Sequence, residues 1–98
     1  MAKKIPTKDQ CFYVSGLLKT LAHPQRLLIL CHLVEGPRSV NELTELTDAS
    51  QSAVSQFLGR MKAEGLVKSE RDNQFNNYEI ANDQIKQIIQ ALDKIFNQ

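Results

Sequence analysis

In the run SQSAVSQFLGRMKAEGLVKSER, from Ser50 to Arg71, hydroxyl, carboxamide and guanidinium groups recur at intervals that a helix gathers on one side. At 100° per residue, Ser52, Ser55, Gln56, Gly59 and Ala63 share a face with Arg60 on its flank, and Val54, Phe57, Leu58 and Met61 lie opposite. Serine and glutamine each carry a donor and an acceptor, a chemistry that suits base edges and phosphate oxygens in a major groove. Arg60 can pair with phosphate or guanine. Ordinary solvated helix faces are dominated by long Glu and Lys side chains, so a small polar face is unusual. Gly59 costs such a helix about 1 kcal/mol relative to alanine, which implies a packing reason or a close approach. A protein interface is the competing reading of the same face.

The other reactive groups are two thiols, Cys11 and Cys31, and two imidazoles, His23 and His32. A thiophilic metal site needs two or more cysteines close together, and a borderline-metal site needs converging His, Asp or Glu ligands. Cys31 and His32 are neighbours and so point about 100° apart on one helix, while His23 precedes Pro24 at that helix's start. His32 is expected to face water, and His23 to cap the helix or sit on the surface. No metal site and no cofactor are predicted. Cys11 shares a stripe with Val14 and Leu18, and Cys31 shares one with Leu27 and Val34, so both thiols are expected to face packed interior. Two readings stay open: a redox switch through Cys31 with Cys11, or two buried thiols acting as small hydrophobes.

The elements that must position these groups are legible in caps and periods. Thr7 with Gln10, and Ser39 with Glu42, have the spacing of capping boxes, and Asn82 precedes a last apolar-periodic stretch. The helix after Ser39 is expected to turn Val40, Leu43 and Leu46 inward. It reaches the polar link Thr47-Asp48-Ala49-Ser50, so brief a connection that it suggests a helix-turn-helix over residues 39–64. Gly65 stands where a helix C-cap glycine would, and Leu66 to Arg71 alternates in the strand period. A hairpin over 66–80 with a turn at Asp72-Asn73 would set Val67 opposite Tyr78, with Ile80 on the same inward face. Cys11, Val14, Leu17, Leu18 and Leu21 on the first helix exceed what one small core needs. So do Ile85, Ile88, Ile89, Leu92, Ile95 and Phe96 on the last, and both stripes are read as a dimer interface.

Pro24-Gln25-Arg26-Leu27 with Ile29-Leu30, the segment SVNELTELTDASQSAVSQFLGRMKAEGLVKSERD and the Tyr78-bearing return strand together resemble the ArsR/SmtB family of small winged helix-turn-helix repressors. The likeness runs from near Leu17 to the end and is most specific in SQSAVSQFLGRMKAEGLV. It implies a mainly α fold with a β-hairpin wing, about five helices and two strands. It also implies a homodimer through the N- and C-terminal helices that binds double-stranded DNA at an inverted-repeat operator and leaves when an inducer changes the dimer. Carried over position by position, the DNA-contacting residues would be Gln51, Ser52, Ser55 and Gln56, with Arg60, Lys68, Arg71, Asn73 and Gln74 in support.

Family members sense metals, arsenite or thiol oxidants. The helix that bears the family's cysteine metal motif here reads Val40-Asn41-Glu42-Leu43-Thr44, without cysteine, and the last helix has no histidine. Cys31 after Ile29-Leu30 resembles the HlyU- and BigR-like thiol-sensing branch, in which a cysteine at that position links to a partner near the end of the last helix. This chain departs there, with Ile95-Phe96-Asn97-Gln98. The resemblance also leaves open a regulator without a cysteine switch that displaces another DNA-binding protein, or a metal-responsive repressor.

The 98 residues are read as one domain, 1–98, with residues 1–6 a flexible basic arm that includes Lys3 and Lys4. A formal charge of +1 is low for a nucleic-acid binder, but its distribution is not even. From Ser50 to Arg71, Arg60, Lys62, Lys68 and Arg71 face only Glu64 and Glu70, whereas Glu42, Glu45, Asp48, Asp83 and Asp93 lie outside. The chain has no phosphate-binding glycine loop and no nucleophile motif, so an enzyme is not expected. No signal or membrane-spanning run appears, and a cytoplasmic chain is expected.

Overall fold

The computed structural model describes residues 6–72 and 75–97. The basic arm at Lys3 and Lys4, and the wing-tip residues Asn73 and Gln74, lie outside the described residues. In chain order the elements are α1 (Lys8–Leu21), α2 (Pro24–Val34), β1 (Arg38–Ser39), α3 (Val40–Thr47), α4 (Gln51–Ala63), β2 (Val67–Asp72), β3 (Phe75–Ile80) and α5 (Asp83–Phe96).

Side-chain caps fix where the helices begin. Thr7 Oγ1 accepts from the Gln10 N–H at 3.1 Å, and Gln10 Oε1 accepts from the Thr7 N–H at 2.8 Å. Ser39 and Glu42 repeat the reciprocal arrangement at 3.1 and 3.0 Å. Ser50 starts α4 by accepting from the Ala53 N–H at 3.0 Å, and Asn82 starts α5 by accepting from the Ile85 N–H at 3.0 Å. Each such cap is worth about 1 kcal/mol against alanine. α2 relies instead on Pro24 at its first turn, where a missing N–H leaves nothing unsatisfied.

Two residues with positive φ bracket α4. Asp48 (φ 57°) ends α3 in the left-handed region, which Asp enters more readily than most residues, and so turns the chain towards Ser50. Gly65 (φ 78°) ends α4: its N–H bonds the Lys62 carbonyl at 3.0 Å, and the Leu66 N–H bonds the Met61 carbonyl at 2.9 Å. This is a Schellman closure, and it directs the chain straight into β2.

The core is built around α2, which packs against α1, α3, α5 and β3. Ile29, Leu30 and Leu33 of α2 meet Leu43 of α3, Val54, Leu58 and Met61 of α4, Leu66 and Val67 at the entry to the hairpin, and Ile85 and Ile89 of α5. Each fully buried side chain of this kind contributes about 1.5–3 kcal/mol. On α3 the inward position expected for Leu46 belongs to Thr47: Leu46 is exposed, while Thr47 is buried with its hydroxyl donating to the Leu43 carbonyl at 2.6 Å. Thr47 lies one helical turn beyond Leu43 at i+4 and aligns with the Val40–Leu43 stripe better than Leu46 does. The internal hydrogen bond removes the cost of burying its oxygen.

The sheet differs from the expected two strands. β1 pairs with β3, giving the order β1-β3-β2, all antiparallel. Ser39 both pairs with Asn77 and caps α3, so the edge of the sheet and the start of α3 are one point. The hairpin register also differs. Val67 pairs with Ile80, Ser69 with Tyr78 and Asp72 with Phe75, so Asp72 is a strand residue rather than half of a turn. The base of the hairpin sets this register: the Ala81 N–H donates to the Leu66 carbonyl at 2.8 Å, and Val67 is buried beside it. A shift of two residues keeps the alternation, so Tyr78 and Ile80 still pack on the core.

Candidate nucleic-acid interface

α4 packs on α3 and β2 through Val54, Leu58 and Met61, all fully buried, with Phe57 half-buried. Because these occupy one side, the other is left to solvent: Gln51, Ser52, Ser55, Gln56, Gly59, Arg60 and Ala63 are all exposed. Among the described residues a β-carbon built on Gly59 would meet nothing within 4 Å, so no packing among them requires the glycine. An interior helix glycine that serves no internal contact leaves close approach from outside as its physical reason.

The polar groups around this face differ in how free they are. Gln51 Nε2 donates to Asn41 Oδ1 of α3 at 3.3 Å, which holds the first side chain of α4 against the preceding helix. Lys62 Nζ donates to Ser69 Oγ of β2 at 2.8 Å. Lys68 is exposed, but its ammonium lies 3.1 Å from the Glu79 carboxylate on the neighbouring strand. Among the described residues no ion pair engages Arg60 or Arg71. Arg60 therefore offers an uncompensated cation at the flank of the face, and Arg71 another towards the end of β2. Asn41, Ser69 and Glu79 were not expected from the sequence. Glu79 was hidden by the register error, since the correct pairing sets it directly opposite Lys68.

The first turn of α2 reaches α4 by two side-chain links. Arg26 forms a charged hydrogen bond to Glu64, the C-cap of α4. The His23 ring, at the N-cap of α2, stands 4.9 Å from the Phe57 ring at an interplanar angle of 56°. His23 makes no side-chain cap bond.

Both cysteines are free and exposed, which corrects the expectation that they face packed interior. Val14 and Leu18, which share the Cys11 stripe, are exposed as well, whereas Leu27 and Val34, which share the Cys31 stripe, are half-buried against the core and leave Cys31 at its edge. Cys31 lines an open groove of ≈ 570 Å³ between α2 and α5, with Leu27, Leu28, Leu92, Asp93 and Phe96. Partial burial there, and secondarily the Asp93 carboxylate, raise the Cys31 thiol above its ordinary pKa. His32 is half-buried rather than facing water, with Nδ1 3.6 Å from Glu35. Among the described residues no three His, Cys, Asp or Glu side chains converge as a metal site. No described helix is long and apolar enough to cross a membrane.

Two helices joined by a tight left-handed turn, an exposed polar second helix and a following hairpin define a winged helix-turn-helix. The family profile described as bacterial regulatory protein, arsR family, matches residues 23–69, from the cap of α2 into β2. The HTH-type transcriptional regulator YgaV of Escherichia coli (strain K12) is 47% identical over 83 residues, 84% of this chain and 84% of the relative. HlyU from Vibrio cholerae N16961 superposes with a TM-score of 0.86 at 33% identity, covering 94% of this chain and 100% of that one. The transcriptional repressor BigR from Xylella fastidiosa superposes with a TM-score of 0.84 at 37% identity, covering 91% of each. The chain belongs to the ArsR family of DNA-binding transcriptional regulators and is related to its YgaV, HlyU and BigR members. It is a regulator, not an enzyme.

Proposed function

We propose that this chain is a homodimeric repressor that reads an inverted-repeat operator in double-stranded DNA with the outer face of α4 and releases it when a signal alters the dimer. In this reading residues 1–98 form one winged domain, with the helix-turn-helix over 39–64 and the wing over 66–80. The observation that carries it is the exposed face of Ser52, Ser55, Gln56 and Gly59, flanked by Arg60, which has no ion-pair partner among the described residues. Repression as the direction of control is supported by the likeness to BigR. Dimerisation is supported by the large apolar side chains left in water on α1 and α5, Phe12, Tyr13, Leu18, Ile95 and Phe96, too many for a monomer to leave uncovered.

The contacts assigned are Gln51, Ser52, Ser55 and Gln56 to bases and phosphates, with Arg60 and Arg71 to the backbone. Lys68 contributes less, because Glu79 offsets its charge. For the release step, exposure of both thiols supports modification of Cys31, alone or with Cys11, while the raised pKa of Cys31 slows any reaction that needs its thiolate.

The test is DNA binding by Ser55→Glu and Gln56→Glu against the wild-type chain, using duplexes enriched from a random pool. Each added carboxylate faces phosphate, so loss of binding with unchanged folding is expected. Binding that survives both substitutions would place the DNA on another surface.

A further inference from the structure

Arg26 and Glu64 each sit where their own helix least favours them. Arg26 is the third residue of α2, at the end where partial positive charge collects, and Glu64 caps α4 at the end where partial negative charge collects. The fold pairs the two misplacements: the guanidinium bonds the carboxylate, so each charge comes to the end of the other's helix. Only 14% of the Arg26 side chain is exposed; among the described residues its Nε is buried without a partner and Glu64 is the charged group that compensates it. The His23 ring, at the N-cap of α2, also meets Phe57 midway along α4, a second link between the two helices. Further along, α2 forms one wall of the groove against α5, with Leu28 and Cys31 facing into it. One rigid helix therefore joins that groove to the C-terminal end of α4.

We propose that Arg26 and Glu64 are positioning residues: their bond locks the end of α4 to α2 and sets the angle at which the base-reading face meets DNA, so a shift of α2 against α5 reaches that face. The proposal rests on the reading of α4 as the recognition helix.

The experiment uses the full chain with two DNAs: a duplex enriched from a random pool by the wild-type protein, and a random duplex of the same length. Glu64→Gln removes a negative charge, and long-range electrostatics alone would strengthen binding to both. A positioning role predicts instead that the ratio of specific to nonspecific affinity falls, by about tenfold. Arg26→Gln is expected to lower the ratio similarly, Arg26→Lys to retain part of it, and the double variant to be no worse than the weaker single. Glu64 is half exposed, so its variant keeps the test open if Arg26→Gln fails to fold. An unchanged ratio in Glu64→Gln, or losses in the double variant that simply add, overturns the lock alone. Failure of the wild-type chain to enrich any duplex overturns the recognition-helix reading as well.

Discussion

The Lys62 ammonium in the last turn of α4 donates to the Ser69 hydroxyl on β2 at 2.8 Å, bridging the Gly65 turn that separates helix from wing. An exposed hydrogen bond of this kind contributes about 0.5–1.5 kcal/mol. Ser69→Ala is therefore expected to lower Tm by less than about 10 °C. It should also weaken binding to an enriched duplex about threefold to tenfold, as the wing loses its tie to the helix end. Ser69→Thr keeps the hydroxyl and should stay near wild type; equal affinities for all three chains would show that the bond does not orient the wing.

Gly59 separates stability from function. Gly59→Ala fills open space on a helix and should raise stability by about 0.5–1 kcal/mol in thermal or denaturant unfolding. Gly59→Leu should also fold, yet lose at least about tenfold in affinity for the enriched duplex if, as proposed, this face of α4 enters the groove. Full DNA binding by the leucine variant would remove close approach as the reason for the glycine.

Ile95 is 62% exposed and Phe96 75%, whereas Ile85 and Ile89 on the same helix are buried in the core. Ile95→Asp should thus disrupt association without unfolding the protomer. Sedimentation is expected to show the wild-type chain at twice 11.1 kDa and the variant at 11.1 kDa, with the helical spectrum retained. A wild-type particle of 11.1 kDa at micromolar concentration would refute the dimer.

The Cys31 thiol is raised first by burial against α5 and then by Asp93. Since only the thiolate alkylates, its modification by iodoacetamide should rise at a higher pH than that of an unperturbed thiol. Asp93→Asn removes the charge repulsion and should move the profile to lower pH, while the part due to burial remains. Peptide mass spectrometry from about pH 7 to 10 reads both profiles. An identical profile in the variant would show that Asp93 does not act on the thiol.

What the sequence determined by itself was what short spacing controls. The reciprocal caps Thr7/Gln10 and Ser39/Glu42 involve residues three apart, and the division of α4 into a Val54, Leu58, Met61 side and a Ser52, Ser55, Gln56 side follows from 100° steps along one helix. The tertiary structure decided everything that depends on distant partners. It chose Thr47 over Leu46 for the core, because burial depends on which elements close over α3 and an internal hydrogen bond made the hydroxyl tolerable. It paired Val67 with Ile80, and so Lys68 with Glu79, because the anchored base of the hairpin rather than turn propensity set the register. It left Cys11 and Cys31 exposed, because an apolar stripe is buried only where another element covers it. Arg26 and Glu64 are 38 residues apart, and only folding brings two charges that each helix disfavours into one bond.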